Sequence, residues 1–198
     1  MQRLLLASNN PDKLSELREL LKATGVNLLS LSDFPELEPI LEDQDTLAGN
    51  AAKKALEAAR KAGLHCLADD TGLFIPALND EPGVFAARYA GEGCSYRDNR
   101  LKVLRLLENA TDRSARFVTC VALAAPDGII AITEGRVEGR ISVSERGNNG
   151  FGYDSIFEVD STGRTYAEMA DSEKNALSHR ALALQKMLPI LTELISIT

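Results

Sequence analysis

Tryptophan is absent from this 198-residue sequence, and Phe and Tyr supply only 5% of it. Aliphatic side chains must therefore fill most of any core. Histidine occurs twice, as His65 and His179, which is too few to support a nucleophilic triad. The three cysteines, Cys66, Cys94 and Cys120, lie far apart with no Cys-x-x-Cys spacing. That pattern excludes a disulfide framework and a zinc site, and reads as buried reduced thiols. Positive charge is in deficit, with 22 Lys and Arg against 29 Asp and Glu, a net charge of −7 and a pI near 5.0. Non-specific partners such as DNA, RNA or an anionic membrane each need a broad positive surface, so no nucleic-acid and no membrane partner is expected. A small nucleotide stays compatible, because a few converging cations or a bridging metal suffice for a triphosphate. No stretch approaches the ~20 apolar residues of a membrane span. The opening run Met1 to Ala7 is too short for a signal peptide, so a cytoplasmic location is expected.

What is present is an ordinary globular balance, 44% hydrophobic and 26% charged. The length, residues 1–198, is long for one domain and short for two, so it suits one domain or two intimately packed lobes. Leu4 to Ala7 reads as a buried strand closed by Ser8-Asn9-Asn10-Pro11. Asn10 suits a helix N-cap and Pro11 the first helical position, with Leu14, Leu17 and Leu21 at helical spacing and Gly25 as a stop. A strand is expected near Val26 to Leu31, a loop over Asp33 to Asp45, and an alanine-rich helix from Thr46 to Ala62 before Gly63. Cys66-Leu67-Ala68 reads as a brief strand running into Asp69-Asp70-Thr71-Gly72, with extended chain from Leu73 to Leu78 and a turn at Pro82-Gly83. Ser95 to Glu108 is a helix opened by a capping-box arrangement of Ser95 and Asp98. Phe117 to Ala125 and Ile129 to Glu138, joined by Pro126-Asp127-Gly128, form a hairpin. A glycine-rich loop leads into Tyr153 to Val159. Asp171 to Ile195 is helical, with a kink or break expected at Pro189. The fold class is α/β: a large twisted mixed sheet flanked by helices, the hairpin serving as its edge or as a second lobe.

Four places have residues suited to chemistry. Ser8 to Lys13 lies between strand and helix, where unpaired backbone N–H groups and the helix dipole favour an anion and Lys13 adds charge. The bland alternative is a capped helix with a solvated lysine. Glu42, Asp43 and Asp45 share one loop, and Asp69-Asp70 end a strand. Magnesium takes one or two carboxylates plus phosphates and waters, although acidic loops are often merely solvated and Asp69 to Gly72 also suits an Asx-turn. Adjacent residues of an extended strand face opposite ways, so only one of Asp69 and Asp70 would aim at a metal. In Gly150-Phe151-Gly152-Tyr153-Asp154 the glycines let a ring lie against a purine, or else mark a β-bulge with a core aromatic. Lys174 with Ser178-His179-Arg180 suits phosphate or a base carbonyl, or places a histidine on the surface.

Taken together and in this order, these motifs resemble the inosine triphosphate pyrophosphatase family, whose members cleave non-standard purine nucleoside triphosphates to monophosphate and pyrophosphate. The resemblance runs from Leu4 to about Leu188. It rests on Ala7-Ser8-Asn9-Asn10 with Lys13, Thr46…Asn50-Ala51…Lys54-Ala55, Ala68-Asp69-Asp70-Thr71-Gly72-Leu73, Pro82-Gly83 with Ala87-Arg88-Tyr89-Ala90-Gly91, Gly150-Phe151-Gly152-Tyr153-Asp154, and Glu173-Lys174…Leu177-Ser178-His179-Arg180-Ala181. Where many relatives show Thr-Gly-Asn-x-x-Lys, Ser8-Asn9-Asn10 stands here and keeps Asn10 and Lys13. The resemblance implies a two-lobed α/β homodimer with a central active-site cleft, a magnesium ion held by Glu42 and Asp70, and Asp70 (or its neighbour Asp69) as the catalytic carboxylate that activates the attacking water. It implies further that Ser8, Asn9, Asn10, Pro11, Asp12 and Lys13 line the triphosphate with Lys54 nearby, and that Lys13 takes part in catalysis. Thr71 would contact the nucleotide, while Phe151, Gly152, Tyr153, Asp154, Lys174, His179 and Arg180 surround base and sugar. Arg180 is expected to donate to a 6-oxo group that adenine lacks.

Overall fold

The computed structural model describes residues 3–196, so Met1 and Gln2 of the opening run fall outside the described residues. In chain order the elements are β1 (Arg3–Leu6), α1 (Pro11–Leu21), β2 (Asn27–Ser30), α2 (Leu47–Ala62), β3 (His65–Ile75), β4 (Glu81–Gly83), α3 (Tyr96–Leu106), β5 (Ser114–Ala125), β6 (Gly128–Ile141), β7 (Phe157–Val159), β8 (Arg164–Thr165), α4 (Asp171–Leu177) and α5 (His179–Ser196). One eight-stranded mixed sheet runs in the order β2-β1-β3-β5-β6-β7-β8, with β4 paired to β3. β1 is parallel to β2 and β3, with Leu5 opposite both Leu29 and Cys66. β3–β4, β6–β7 and β7–β8 are antiparallel. The mixed α/β class stands as expected, but the hairpin strands β5 and β6 lie in the interior of the sheet order rather than at an edge.

Local signals explain most of the helices. The Asn10 side chain caps α1, Pro11 occupies its first position, and Leu17 and Leu21 are buried. Thr46 caps α2, whose other end closes on Gly63 in the left-handed conformation. Ser95 and Asp98 form the expected capping box on α3.

Three expectations give way. β3 continues unbroken through Asp69-Asp70-Thr71-Gly72 instead of turning there. A Cβ on Gly72 would stand 2.8 Å from the Gly83 carbonyl oxygen, so the glycine admits a close approach of β4 and not a turn. The turn expected at Pro82-Gly83 lies earlier, at Asn79 and Asp80, both with positive φ, and Pro82 itself pairs in β4. The C-terminal helical stretch breaks at Ser178, which is extended (φ −71°, ψ 154°), whereas Pro189 sits inside an uninterrupted α5. Pro189 is exposed, so water can serve the carbonyl its missing N–H leaves behind.

The chain divides into two compact units: Met1–Asp70, Thr119–Gly135 and Arg180–Thr198 form the first, Thr71–Val118 and Arg136–His179 the second. The first has an aliphatic core, with Leu4, Leu6, Leu67, Val121 and Leu123 packed on Leu17, Leu21, Leu184 and Met187. The second has an aromatic one. Of the six Phe and four Tyr, all but Phe34 fall in it. Phe117 packs on Phe157 (centroids 4.6 Å apart), Tyr166 on Phe157 (5.4 Å) and His179 on Phe117 (4.5 Å, stacked). The scarcity of aromatics thus describes the first unit and not the second. Cys66 and Cys120 are buried free thiols and Cys94 is partly exposed. Burial pushes the Cys66 thiol up to about 12 and that of Cys120 to about 11, which keeps both protonated and inert.

Candidate active site

In the first unit, β1 delivers the chain to the Ser8–Lys13 loop. Asn10 Oδ1 accepts the N–H groups of Asp12 (2.9 Å) and Lys13 (3.3 Å), and the Leu14 N–H donates to the Asn10 carbonyl. The unpaired helix-start donors expected from the sequence are therefore taken by the cap, and Pro11 has none to offer. Positive charge in this loop comes from the Lys13 side chain, whose Nζ stands 3.1 Å from Asp69 Oδ2.

Asp69 and Asp70 are successive residues of β3 and face opposite sides, as an extended strand requires. Asp69 Oδ2 also accepts from Arg180 Nε at 3.1 Å, and Arg180 Nη1 donates to Glu16. Burial alone would raise the Asp69 carboxyl, but Lys13, Arg180 and Lys54 outweigh it and hold the group well below the usual carboxylate range. Asp70 behaves in the opposite way. Burial lifts its carboxyl above the ordinary value, Lys54 opposes this, and the Glu42 charge adds to it. The two neighbours thus shift in opposite directions: the cations around Asp69 favour its ionised form, whereas burial of Asp70 disfavours its own.

α2 supplies the remaining members. Its buried stripe, Leu47, Ala51, Ala55 and Ala58, also includes Asn50 and Lys54. Lys54 Nζ donates to Glu42 and to the Asp69 carbonyl (2.6 Å), and stands 4.0 Å from Asp70 Oδ1. Burial would lower the Lys54 ammonium, yet Asp69, Asp70 and Glu42 together raise it, so it stays charged. Of the acidic loop, Glu42 meets this cluster, whereas Asp43 pairs with Lys53 at 2.8 Å and Asp45 is exposed. Among the described residues no three His, Cys, Asp or Glu side chains group as a metal site. Two carboxylates sharing one cation do fit magnesium, which commonly takes one or two from protein and completes its shell with phosphate and water.

In the second unit the other motifs converge. Asp154 Oδ2 accepts from the Phe151 N–H (2.8 Å) and from Lys174 Nζ (2.6 Å). Lys174 Nζ also lies 4.7 Å from the Phe151 ring centroid, and Tyr96 flanks that ring at 5.9 Å. Tyr153 donates to the Ala86 carbonyl and Arg100 to that of Gly152, which pins the loop at these two adjacent residues. His179, which sequence left open as a surface group, is buried against Phe117. Gly150 has φ +73°, and a Cβ there would run into the Asp154 carboxylate. Gly150→Ala is expected to cost at least about 1 kcal/mol, read as a fall in Tm of at least ~2 °C. An unchanged Tm would show the loop is not held by Asp154.

Lys174, His179 and Arg180, grouped by the sequence, separate here: the first two belong to the aromatic unit, and Arg180 to the Asp69 cluster. Sequence reading missed Asn50 as a site residue and missed Glu16 altogether. The available signal for Asn50 was a polar residue on an otherwise apolar helical stripe. For Glu16 it was a carboxylate one helical turn from Lys13.

Residues 4–190 match the Ham1 family. The chain belongs to that family. A dITP/XTP pyrophosphatase from Desulforamulus reducens is 45% identical over 97% of this chain and 96% of its own length. Another of that name, from Flavobacterium johnsoniae, is 43% identical over 96% of this chain and 98% of its own. Among solved structures, a HAM1 protein from Coxiella burnetii superposes with a TM-score of 0.88 at 43% identity, covering 98% of this chain and 100% of that one. The Staphylococcus aureus Ham1 protein gives 0.85 at 35% identity, covering 96% and 98%. The α/β fold is that of the Ham1 proteins.

Proposed function

We infer that this Ham1-family chain is a nucleoside triphosphate pyrophosphatase that hydrolyses the non-standard purine nucleotides dITP, ITP and XTP to monophosphate and pyrophosphate. The observation that carries this reading is the cluster in which Lys13, Lys54 and Arg180 meet Asp69, Asp70 and Glu42, in a chain 45% identical over nearly its full length to a dITP/XTP pyrophosphatase. The phosphates go to Ser8–Lys13 and Lys54. The base and sugar go to Thr71, Phe151–Asp154, Lys174 and His179.

Magnesium held by Glu42 and Asp70 would neutralise phosphate charge. Asp70 accepts the proton of a water whose oxygen bonds to the α-phosphorus. The bond to the bridging oxygen breaks, and pyrophosphate leaves with its electron pair. Lys13 and Lys54 stabilise the negative charge developing on that leaving group. Asp69, ionised and bound by Lys13 and Arg180, fixes the strand and the lysine instead of exchanging protons.

The 6-oxo donor role expected of Arg180 has less support than its ion-pair role, since Nε and Nη1 donate to Asp69 and Glu16. Comparing dITP with dATP turnover in Arg180→Lys distinguishes the two. An unchanged ratio assigns Arg180 to its ion pairs with Asp69 and Glu16; a collapsed ratio assigns it to the base. The expected homodimer and cytoplasmic location rest on the family resemblance and on composition. Among the described residues no helix is long and apolar enough to cross a membrane.

Hydrolysis in ¹⁸O-labelled water tests the chemistry. Label in the monophosphate is expected, from attack at the α-phosphorus. Label in pyrophosphate would place the attack at the β-phosphorus and refute the assignment.

A further inference from the structure

We propose that Asn50 is a positioning residue: its single carboxamide orients the Asp70 carboxylate and tethers the loop that carries Glu42. The proposal rests on the hydrolytic reading above. Asn50 is 2% exposed, in the first turns of α2. Its Nδ2 donates to Asp70 Oδ2 at 3.0 Å, and its Oδ1 accepts the Gln44 backbone N–H at 2.9 Å. The two bonds fix the amide mutually. Reversing it would set oxygen against carboxylate and NH₂ against N–H, losing both.

The consequence is a division of labour between the two Asp70 oxygens. Oδ2 is engaged by Asn50, and Oδ1 is turned toward Lys54. Gln44 stands two residues from Glu42, and Glu42 accepts from Lys54. Asn50 and Lys54 are one helical turn apart, so one face of α2 sets both carboxylates. Packing alone does not call for this residue. The neighbouring stripe positions are Leu47, Ala51 and Ala55, and a buried amide is costly unless its hydrogen bonds are made.

The two halves of the proposal separate in two variants. Asn50→Ala removes both bonds. Asn50→Asp keeps the acceptor for Gln44 and replaces the donor with a group that repels Asp70. With wild-type dITP hydrolysis established first, kcat, KM, Tm and amide exchange at Gln44 are measured for each. Asn50→Ala is expected to speed Gln44 exchange and to lower kcat, each at least ~10-fold, the scale of one lost buried hydrogen bond. Asn50→Asp is expected to lower kcat as much with Gln44 exchange close to wild type, and KM is expected to move little in either. Wild-type kcat in Asn50→Asp would overturn the proposal, as would kcat losses that vanish at temperatures where both variants are fully folded. Should Asn50→Ala not fold, the Asn50→Asp arm decides alone. Failure of wild type to hydrolyse dITP would instead refute the functional reading, while Gln44 exchange would still report on the tether.

Discussion

The Asp70→Asn enzyme is expected to lose at least ~100-fold in kcat for dITP, the lower end for removal of a general base, while its metal-free form gains stability at neutral pH. Asparagine keeps the shape and the acceptor for Asn50 but cannot take a proton and brings no charge to a metal. The stability gain follows from the raised Asp70 carboxyl. Burial raises it first, Lys54 opposes and Glu42 adds. A carboxyl whose folded value lies above its unfolded value favours folding in its protonated form. That contribution is fully present below the unfolded value and is lost as pH rises through the folded one. Metal-free wild type is therefore penalised at neutral pH, and the variant is relieved of it. The gap between them should close as pH falls through the Asp70 transition, and urea titrations across that range measure it. Retained turnover in the variant would remove Asp70 from the chemistry.

Arg180→Ala is expected to be the most destabilising single change at the site. Its guanidinium is almost wholly buried and donates to two carboxylates, Asp69 and Glu16. Asp69 is itself buried and would keep Lys13, whose Nζ stands 3.1 Å from its Oδ2. Removing one partner of a buried ion pair costs about 3–5 kcal/mol, which for a chain of this size lowers Tm by roughly 6 °C or more. The pH dependence should shift with it. Asp69 is held low by Lys13, Arg180 and Lys54 against the opposing effect of burial. Such a group contributes stability above its unfolded value and loses it as pH falls toward its folded one. Wild type should thus lose more stability on acidification than Arg180→Ala, which lacks part of that contribution at the outset. A variant with wild-type Tm would mean Asp69 and Glu16 are satisfied without Arg180.

The features legible in the sequence were those set by neighbours in the chain. Asn10 before Pro11, Thr46 before the alanine-rich helix, and Ser95 with Asp98 all announce helix starts by local hydrogen bonding. Features set by partners distant in sequence were not legible. Asp69 to Gly72 carries turn-forming residues, yet flanking strands hold it extended, because ladder pairing overrides local preference. Pro189 signals a break that exposure makes tolerable, while Ser178, with no such signal, takes the extended conformation. The motif residues of the site were named from the sequence. Their sorting into an anchored Asp69 with Arg180 and a raised Asp70 with Asn50 and Lys54 depends on which side of β3 each faces. Glu16 escaped because a helical carboxylate looks solvated until its buried arginine is known.

The central claim is tested by incubating the protein with magnesium and equal amounts of inosine, xanthosine, adenosine and guanosine triphosphates and separating the products by ion exchange. The expected result is monophosphate plus pyrophosphate from the inosine and xanthosine nucleotides, with adenosine and guanosine triphosphates left intact. Diphosphate plus phosphate, or equal consumption of all four, would contradict it.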